Sequence, residues 1–380
     1  MTEQYGFDMK TQQKARQYLY TGLAVSLGKG MVILVLSVVA LSLRLHVALE
    51  DIVKTWVMER GQIVALYFLI GYATFWLVTL PFDYLKEYVL EHKFELATEK
   101  LGKWFNDKIK MLILYVVFLL FFVEGVYSFM SLSPAYWWFF TWVVSAIFVV
   151  LLFYAFPVLI MPMFYKFPRI RDEQLLEKLT HLSEKSGVKV IGIYEMKAGE
   201  KTKKAIAALT GIANTRRMLL SDTFLANYTS DEIESVMGHE LGHHVYHHIG
   251  KATLLTMFFF LVVLVVADQV LRVTMGFFGI TEIASVASLP LLGLLFGLIY
   301  TVSIPFFNTY SRWQEGQSDQ YELDLVDKPD AYISSMTKLC DQNLRYAYPH
   351  PLIELMFYDH PSGKKRIKRA LEYRERKKQE

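Results

Sequence analysis

The stretch Val236-Met-Gly-His-Glu-Leu-Gly-His243 decides how this chain is interpreted. His239 and His243 are four residues apart, so on a helix they lie on one face and can bind a single zinc ion together. Glu240 lies about 100° further round the helix, where its carboxylate can contact a zinc-bound water without binding the metal. A third protein ligand would complete a site that leaves one coordination position open for that water.

A candidate third ligand lies far downstream, in Ser311-Arg-Trp-Gln-Glu-Gly-Gln-Ser-Asp319. Glu315 and Asp319 are four residues apart and share one helical face. Glu315 would supply the carboxylate of a His, His, Glu site, and Asp319 would accept the free N–H of a ligating histidine and fix its tautomer. The alternative for two carboxylates at this spacing is a solvated helix face.

The composition is that of a membrane protein. Hydrophobic residues make up 53% of the 380 residues, aromatic residues make up 15%, and the mean hydropathy is +0.28, which is high for a soluble protein. The excess lies in apolar runs long enough to cross a bilayer, and the first run lacks the features of a signal peptide. We predict six spans: Gly22–Leu43, Ile63–Phe82, Met111–Met130, Tyr136–Met163, Thr253–Met275 and Ser285–Phe307.

Basic residues are distributed unequally between the loops that join these spans. With six spans, both termini share one side of the membrane with three loops, residues 83–110, 164–252 and 308–380. With Lys29 assigned to the nearer interface, only four of the 40 Lys and Arg residues fall elsewhere: Arg44, Lys54, Arg60 and Arg272. The positive-inside rule therefore predicts that the zinc motif and Glu315 lie on the cytoplasmic side.

Charge and cysteine content narrow the class further. The formal net charge of +3 does not indicate a nucleic-acid partner, so we expect none. Cys340 is the only cysteine, which excludes an intramolecular disulfide. Glu124 and Asp268 lie within predicted spans, where carboxylates are costly and are either functional or reach the outer interface.

The chain is predicted to have two parts. Residues 1–165 form an N-terminal membrane domain with four spans and a cytoplasmic loop, and residues 166–380 form a zinc-motif domain that two spans, about 253–307, interrupt. In the second part we predict a helix over Arg171–Ser186 and a zinc helix from about Asp231 with Ser230 as its N-cap. Short strands are predicted over Val188–Tyr194, Ala205–Ile212 and Met218–Ser221. The predicted fold class is therefore mostly α, a polytopic membrane protein whose cytoplasmic-side domain carries a small β-sheet.

Beyond these patterns, the chain resembles the CAAX prenyl protease 1 family, which are integral membrane zinc metallopeptidases of the gluzincin group. The zinc motif and Ser311–Asp319 together carry most of the resemblance. Further matching segments are Asp83–Phe94 with Thr98, Trp104, Asp107 and Lys110, then Phe156–Lys166, Lys203–Gly211, Asn214–Thr223, His360-Pro361 and Arg366-Ile367. The departures are Ile206 where the family usually has Asn, Glu95 for Gly, and His244 for Trp.

The resemblance implies a zinc-dependent endopeptidase. Zn²⁺ would be held by His239, His243 and Glu315, with Glu240 as the general base. By the same resemblance His360 would stabilise the oxyanion, and Arg366 would be a second contact to the transition state. The substrate backbone would pair with an edge strand near Ala207 and Ala208.

The sequence leaves open the substrate and the membrane, the branch of the protease family, and a non-catalytic role. The substrate would be a prenylated CAAX-type protein or a membrane-associated or misfolded polypeptide, and the membrane would be a prokaryotic cell membrane or the endoplasmic reticulum. A related family of heat-shock-type quality-control proteases has two spans ahead of its catalytic domain. The third alternative is a non-catalytic membrane protein whose structural zinc site is closed by a fourth ligand, for which His247 and His248 are candidates.

Overall fold

The computed structural model describes residues 5–211 and 215–379; Ile212 of one predicted strand and Asn214 of one matching segment lie outside them. The helices are α1 (Met9–Ser42), α2 (Leu45–Trp56), α3 (Arg60–Asp83), α4 (Glu91–Lys93), α5 (Leu101–Leu132), α6 (Trp137–Ala155), α7 (Glu173–Ser186), α8 (Asp222–Asn227), α9 (Ser230–Val245), α10 (His248–Thr274), α11 (Leu289–Val326), α12 (Pro329–Gln342), α13 (Pro351–Phe357) and α14 (Gly363–Gln379). The strands are β1 (Ile193–Met196), β2 (Ala207–Thr210) and β3 (Arg217–Ser221).

The predicted spans are confirmed. Within the described residues, five helical stretches are long and apolar enough to cross a membrane: Met9–Ser42, Arg60–Lys93, Leu101–Leu132, His248–Thr274 and Val286–Val326. The sixth is a pair, Trp137–Phe153 and Phe156–Met163, bent by 46°. Pro157 and Pro162 lie in the second half of this pair, where each removes a backbone N–H donor from the helical ladder.

The loop between the first two spans contains a helix that the sequence reading missed. Helix α2 spans only 12 residues, too short to cross a membrane, and Val53 on its inner face is fully buried against the membrane core. Within the spans, Asp268 accepts hydrogen bonds from Trp137 Nε1 at 2.6 Å and Arg272 Nε at 2.9 Å, so this carboxylate is paired. Glu124 is half-buried and lies beside Gly61 at the start of α3, which fits a side chain reaching the membrane interface.

A three-stranded sheet forms the small β-structure that was predicted. Its order is β1-β3-β2, with β1 parallel and β2 antiparallel to β3, so β2 is an edge strand. Met218 and Leu220 of β3 face the core of the domain and are fully buried there. The prediction of a strand from Val188 was wrong, because residues 188–192 form the connection that follows the left-handed Gly187 at the end of α7.

Helix α9, which carries the zinc motif, begins one residue earlier than predicted. Thr229, not Ser230, is the N-cap of α9. Its hydroxyl accepts from the N–H of Glu232, and the Glu232 carboxylate accepts from the N–H of Thr229 at 2.7 Å, which is a reciprocal capping box. Ser230 is therefore the first helical residue.

Close packing of α9 on α11 depends on two glycines of α9. A Cβ at Gly242 would lie 3.1 Å from Ser318 Cα, and a Cβ at Gly238 would lie 2.8 Å from Val326 Cγ2. At Gly242 the neighbouring atom is backbone, which cannot rotate away, so a larger residue would push the helices apart; at Gly238 the Val326 side chain would have to move. The two helices that carry the zinc motif and Glu315 are thus held at short distance by the absence of two side chains.

The membrane part and the zinc-motif part are joined by backbone pairing. Ala97, just before α5, forms an antiparallel bridge with Thr202, and the Lys203 N–H donates to the Leu96 carbonyl at 2.8 Å. Lys201 in the same segment pairs with Asp107 on α5. These contacts fix the zinc-motif part against the ends of the spans.

We expect Gly242→Ala to lower both thermal stability and zinc content, because the added methyl group meets the α11 backbone; overpacking of this kind costs about 1–3 kcal/mol. Gly250→Ala in the first turn of α10 is the matched control, since no atom lies within 4 Å of a Cβ there. That control should be neutral or stabilise by about 0.5–1 kcal/mol. Thermal unfolding and metal analysis of both variants check this, and equal behaviour would contradict it.

Candidate active site

Three predicted ligands converge between α9 and α11. The ligand atoms of His239, His243 and Glu315 all lie within 4.8 Å of one another, and in residues 5–211 and 215–379 they form the one group of this kind. Nε2 of His239 is 3.2 Å from Oε2 of Glu315, and Nε2 of His243 is 3.2 Å from Oε1. The two Nε2 atoms are 3.2 Å apart. This arrangement could hold one metal ion.

Hydrogen bonds behind the two histidines set their tautomers. Nδ1 of His239 is 3.0 Å from the ionised Asp319, so Nδ1 carries the hydrogen. Nδ1 of His243 is 3.0 Å from Nδ1 of His248, whose Nε2–H donates to Gln317 Oε1 at 3.0 Å. His248 can therefore only accept from His243. In their neutral forms, both ligand histidines then direct an unprotonated Nε2 toward Glu315.

The centre of the group consists of acceptors without a donor. Glu315 is 4% exposed, and its Oε2 is buried with no hydrogen-bond partner although His239 Nε2 is close. Two imidazole lone pairs and a carboxylate facing one another require a cation between them. Two imidazole nitrogens and one carboxylate are ligands that zinc prefers at sites with an open coordination position.

In metal-free protein a proton is the alternative cation. Burial and the charge of Arg366 oppose protonation of His239, but Glu315 and Asp319 outweigh both and raise the pKa of His239 to about 10. A metal ion must displace that proton, so metal affinity should fall as the pH decreases.

Asp319 is the centre of a buried charge network. It is fully buried and accepts from Arg366 Nη2 at 2.5 Å and from Arg369 Nη1 at 2.8 Å, in addition to His239. Arg366 Nε also donates to the Tyr332 hydroxyl at 3.3 Å. Arg366 thus lies behind His239, on the side of its Nδ1, and not at the ligand atoms. This position supports a role through Asp319 in place of the predicted contact to the transition state.

His360 lies at the accessible side of the group. Its Nε2 is 3.3 Å from Glu315 Oε1, and its side chain is 32% exposed. On its other face, Nδ1 is 2.7 Å from Asp359 Oδ1, with Arg345 at 3.1 Å. The hydrogen bond from His360 lowers the pKa of Asp359 to about 2, so that carboxylate is ionised. Glu240 is half-buried and adjoins His239 on α9.

The predicted edge strand presents backbone groups toward α9. The Ile206 carbonyl accepts from the Ser221 N–H at 2.8 Å, and antiparallel pairing alternates, so Ala207 and Leu209 direct their backbone groups away from β3. The Leu209 carbonyl is already taken by Nε2 of His244 at 3.2 Å. Ala207 is therefore the residue whose backbone points to the free edge, whereas Ala208 is directed toward β3.

His248 does not lie among the ligand atoms. His248 had been a candidate fourth ligand, but its Nδ1 faces the Nδ1 of His243 and it is 2% exposed, so it supports that ligand from behind. His247 is exposed and adopts a left-handed conformation between α9 and α10. A closed structural site therefore has no fourth ligand from either histidine. The run of histidines after the motif was the available signal, but spacing does not show which nitrogen faces which.

Comparison with known families follows from this geometry. Residues 169–374 match the sequence model of peptidase family M48, and residues 4–166 match that of the CAAX prenyl protease N-terminal region, described as five membrane helices. The chain belongs to peptidase family M48. As a member of this family with membrane-spanning helices, it is an integral, multi-pass membrane metalloprotease, and a non-catalytic role is not favoured.

Individual relatives agree with this assignment. The chain is 31% identical to YhfN of Bacillus subtilis, an uncharacterized metalloprotease, over 77% of this chain and 70% of that protein. It is 27% identical to CAAX prenyl protease 1 of Saccharomyces cerevisiae, over 80% and 70% respectively. The crystal structure of S. mikatae Ste24p superposes with a TM-score of 0.86 at 21% identity, covering 96% of this chain and 89% of that chain, so the fold is shared.

We expect His248→Ala to weaken Zn²⁺ affinity about 10–100-fold, because the hydrogen bond that orients His243 is lost. His247→Ala removes a neighbouring histidine from the surface and should leave affinity unchanged. Competition with a fluorescent chelator measures both. Unchanged affinity in the His248 variant would show that His243 needs no support from this side.

Proposed function

We propose that this chain is a zinc-dependent endopeptidase in which His239, His243 and Glu315 hold one Zn²⁺. The observation that carries the proposal is the convergence of three acceptor groups, without a donor, beside Glu240 and His360. When bound, zinc supplies a Lewis acid that polarises the scissile carbonyl and lowers the pKa of water. Asp319 holds His239 in the tautomer that leaves Nε2 free, and His248 does the same for His243.

Glu240 is proposed as the general base. It follows His239 directly on α9 and is not part of the ligand group, so its carboxylate is free to act. It would accept a proton from the attacking water and deliver that proton to the leaving amine. Its half-buried side chain remains accessible to water.

His360 is proposed to donate to the oxyanion. Asp359 lies 2.7 Å from Nδ1 of His360 and orients the ring so that Nε2 faces the ligand group. Its Nε2 lies 3.3 Å from Glu315, next to the ligand group, where the carbonyl oxygen of a bound peptide would lie. Arg366 contributes through Asp319.

The substrate is proposed to bind as an additional strand on β2. Ala207 offers an N–H and a carbonyl to an extended peptide, and Ala208 keeps the strand in register with β3. Main-chain pairing of this kind depends weakly on substrate sequence. The relative named CAAX prenyl protease 1 supports a prenylated CAAX-type substrate, whereas Ile206, in place of the asparagine usual in the family, supports unmodified membrane-associated or misfolded polypeptides.

We also propose an orientation of the chain in the membrane and its division into two domains. The distribution of Lys and Arg supports a catalytic site on the cytoplasmic side, in contact with the lipid bilayer. The chain is divided into a membrane domain, residues 1–165, and a peptidase domain, residues 166–380, with two spans inside the latter. The junction between the two matched family models, at residues 166–169, supports this division.

Glu240→Gln is expected to retain zinc and to lower turnover by about 10²–10⁴-fold, because the proton acceptor is lost while the ligands remain. The test uses the full chain in detergent with two labelled peptides, one farnesylated CAAX peptide and one unmodified unfolded segment. Glu372→Gln, an exposed change on α14, is the control. Wild-type preference between the peptides decides the substrate class, and undiminished turnover in Glu240→Gln would refute the mechanism.

His360→Asn is expected to lower kcat by about 10²–10³-fold with zinc content and KM nearly unchanged, because only the developing oxyanion loses its donor. His181→Asn, at an exposed position on α7, controls for the loss of a histidine. Steady-state kinetics with the better peptide separate the two constants. A rise in KM at constant kcat would instead assign His360 to ground-state substrate binding.

A further inference from the structure

A cavity away from the proposed catalytic residues lies between the bent fourth span and the sheet. Its volume is about 630 Å³, and Pro157 and Pro162 of the bent segment contribute one wall. Leu219 of β3 forms part of the opposite wall, on the face of the sheet that points away from the core, since its neighbours Met218 and Leu220 face the core. None of the residues proposed to act in catalysis lines this cavity.

Three cations line the cavity, and two of them have no ion-pair partner among the described residues. Lys197 pairs with Glu195. Lys166 and Arg217 have no carboxylate within ion-pair distance anywhere in the described part of the chain. The Arg217 guanidinium lies over the Tyr194 ring at 5.8 Å, and its Nε is buried without a hydrogen-bond partner. A buried donor without an acceptor is costly, and an anion in the cavity would satisfy it.

The walls of the cavity are held in place by the surrounding fold. The Lys197 N–H donates to the Lys166 carbonyl at 3.0 Å, and the Glu195 N–H donates to the Pro168 carbonyl at 2.9 Å, so the segment after the bent span is tied to β1. The ring of Tyr165 lies 4.4 Å from Nζ of Lys201. The cavity therefore does not need a ligand to form.

The cavity adjoins the lipid-facing surface. In the bent segment, Phe156 is 51% exposed, Leu159 is 65% exposed and Met163 is 44% exposed, as expected for side chains that contact acyl chains. Lys166 follows directly, where the span ends, and Tyr165 and Phe167 flank it. Aromatic and basic residues at this level are typical of the layer of lipid headgroups.

We propose that this cavity binds the phosphate headgroup of an anionic phospholipid from the leaflet on the catalytic side. Lys166 and Arg217 provide the charge, the unpaired Arg217 Nε provides a donor, and the exposed bent segment provides a surface for the acyl chains. A zwitterionic lipid offers the same acyl chains without the net charge and should bind more weakly. A free phosphate ion offers the charge without the acyl chains.

The test is lipid binding to the delipidated full chain in detergent, followed by native mass spectrometry. Phosphatidylglycerol and phosphatidylcholine with identical chains are the two probes. The wild type should prefer phosphatidylglycerol, and each of Lys166→Gln and Arg217→Gln should reduce that preference about fivefold. Lys93→Gln removes a charge from an exposed site on the same side of the membrane and should leave it unchanged.

Several outcomes would overturn the proposal. Equal binding of the two lipids by the wild type would show that no anionic headgroup site exists. If both single variants still preferred phosphatidylglycerol, the anionic headgroup site would lie elsewhere. Lys166→Gln is informative by itself, because Lys166 is exposed and lies outside the core, so its replacement should not affect folding. Displacement of phosphatidylglycerol by inorganic phosphate at equal concentration would identify a site for a free anion.

Discussion

Lone pairs of two imidazoles and a carboxylate face one another across the contact between α9 and α11, and such groups repel unless a cation lies between them. Much of the surrounding structure enforces this arrangement. The absence of side chains at Gly238 and Gly242 lets the helices approach, and Asp319 and His248 fix the rings from behind. The cost of gathering acceptors in a buried place is offset only when a metal or a proton occupies the centre.

The arginines around Asp319 follow from the same constraint. A fully buried carboxylate is tolerated only when it is paired, and removing one partner of such a pair typically costs about 3–5 kcal/mol. Arg366 and Arg369 both come from α14, the last helix of the chain. Helix α14 therefore supports the metal site through Asp319, although none of its residues supplies a ligand atom.

The ligands could be predicted from the sequence because helical spacing alone determines which side chains share a face. One helix places His239 and His243 on the same face, and a second helix carries Glu315. The direction in which a side chain points between elements is not contained in spacing. The sequence therefore left His248 as a candidate fourth ligand of a structural site, and it could not predict that Arg366 lies behind His239, beside Asp319. The N-cap was misplaced because Thr229 and Ser230 are both good caps, and only the reciprocal bond to Glu232 distinguishes them. Helix α2 escaped notice since its length lies below that of a span.

Helix α11 extends from the membrane to Glu315 and beyond, over 38 residues or about 57 Å, with Pro305 inside it removing one backbone hydrogen bond. One end is surrounded by lipid, and the other holds a carboxylate that must stay within ångströms of two histidines on α9. A change in bilayer thickness that tilts the embedded half would displace the Glu315 carboxylate to the extent that the helix stays rigid across Pro305. The lipid composition, through its effect on bilayer thickness, would in this way alter the geometry of the metal site.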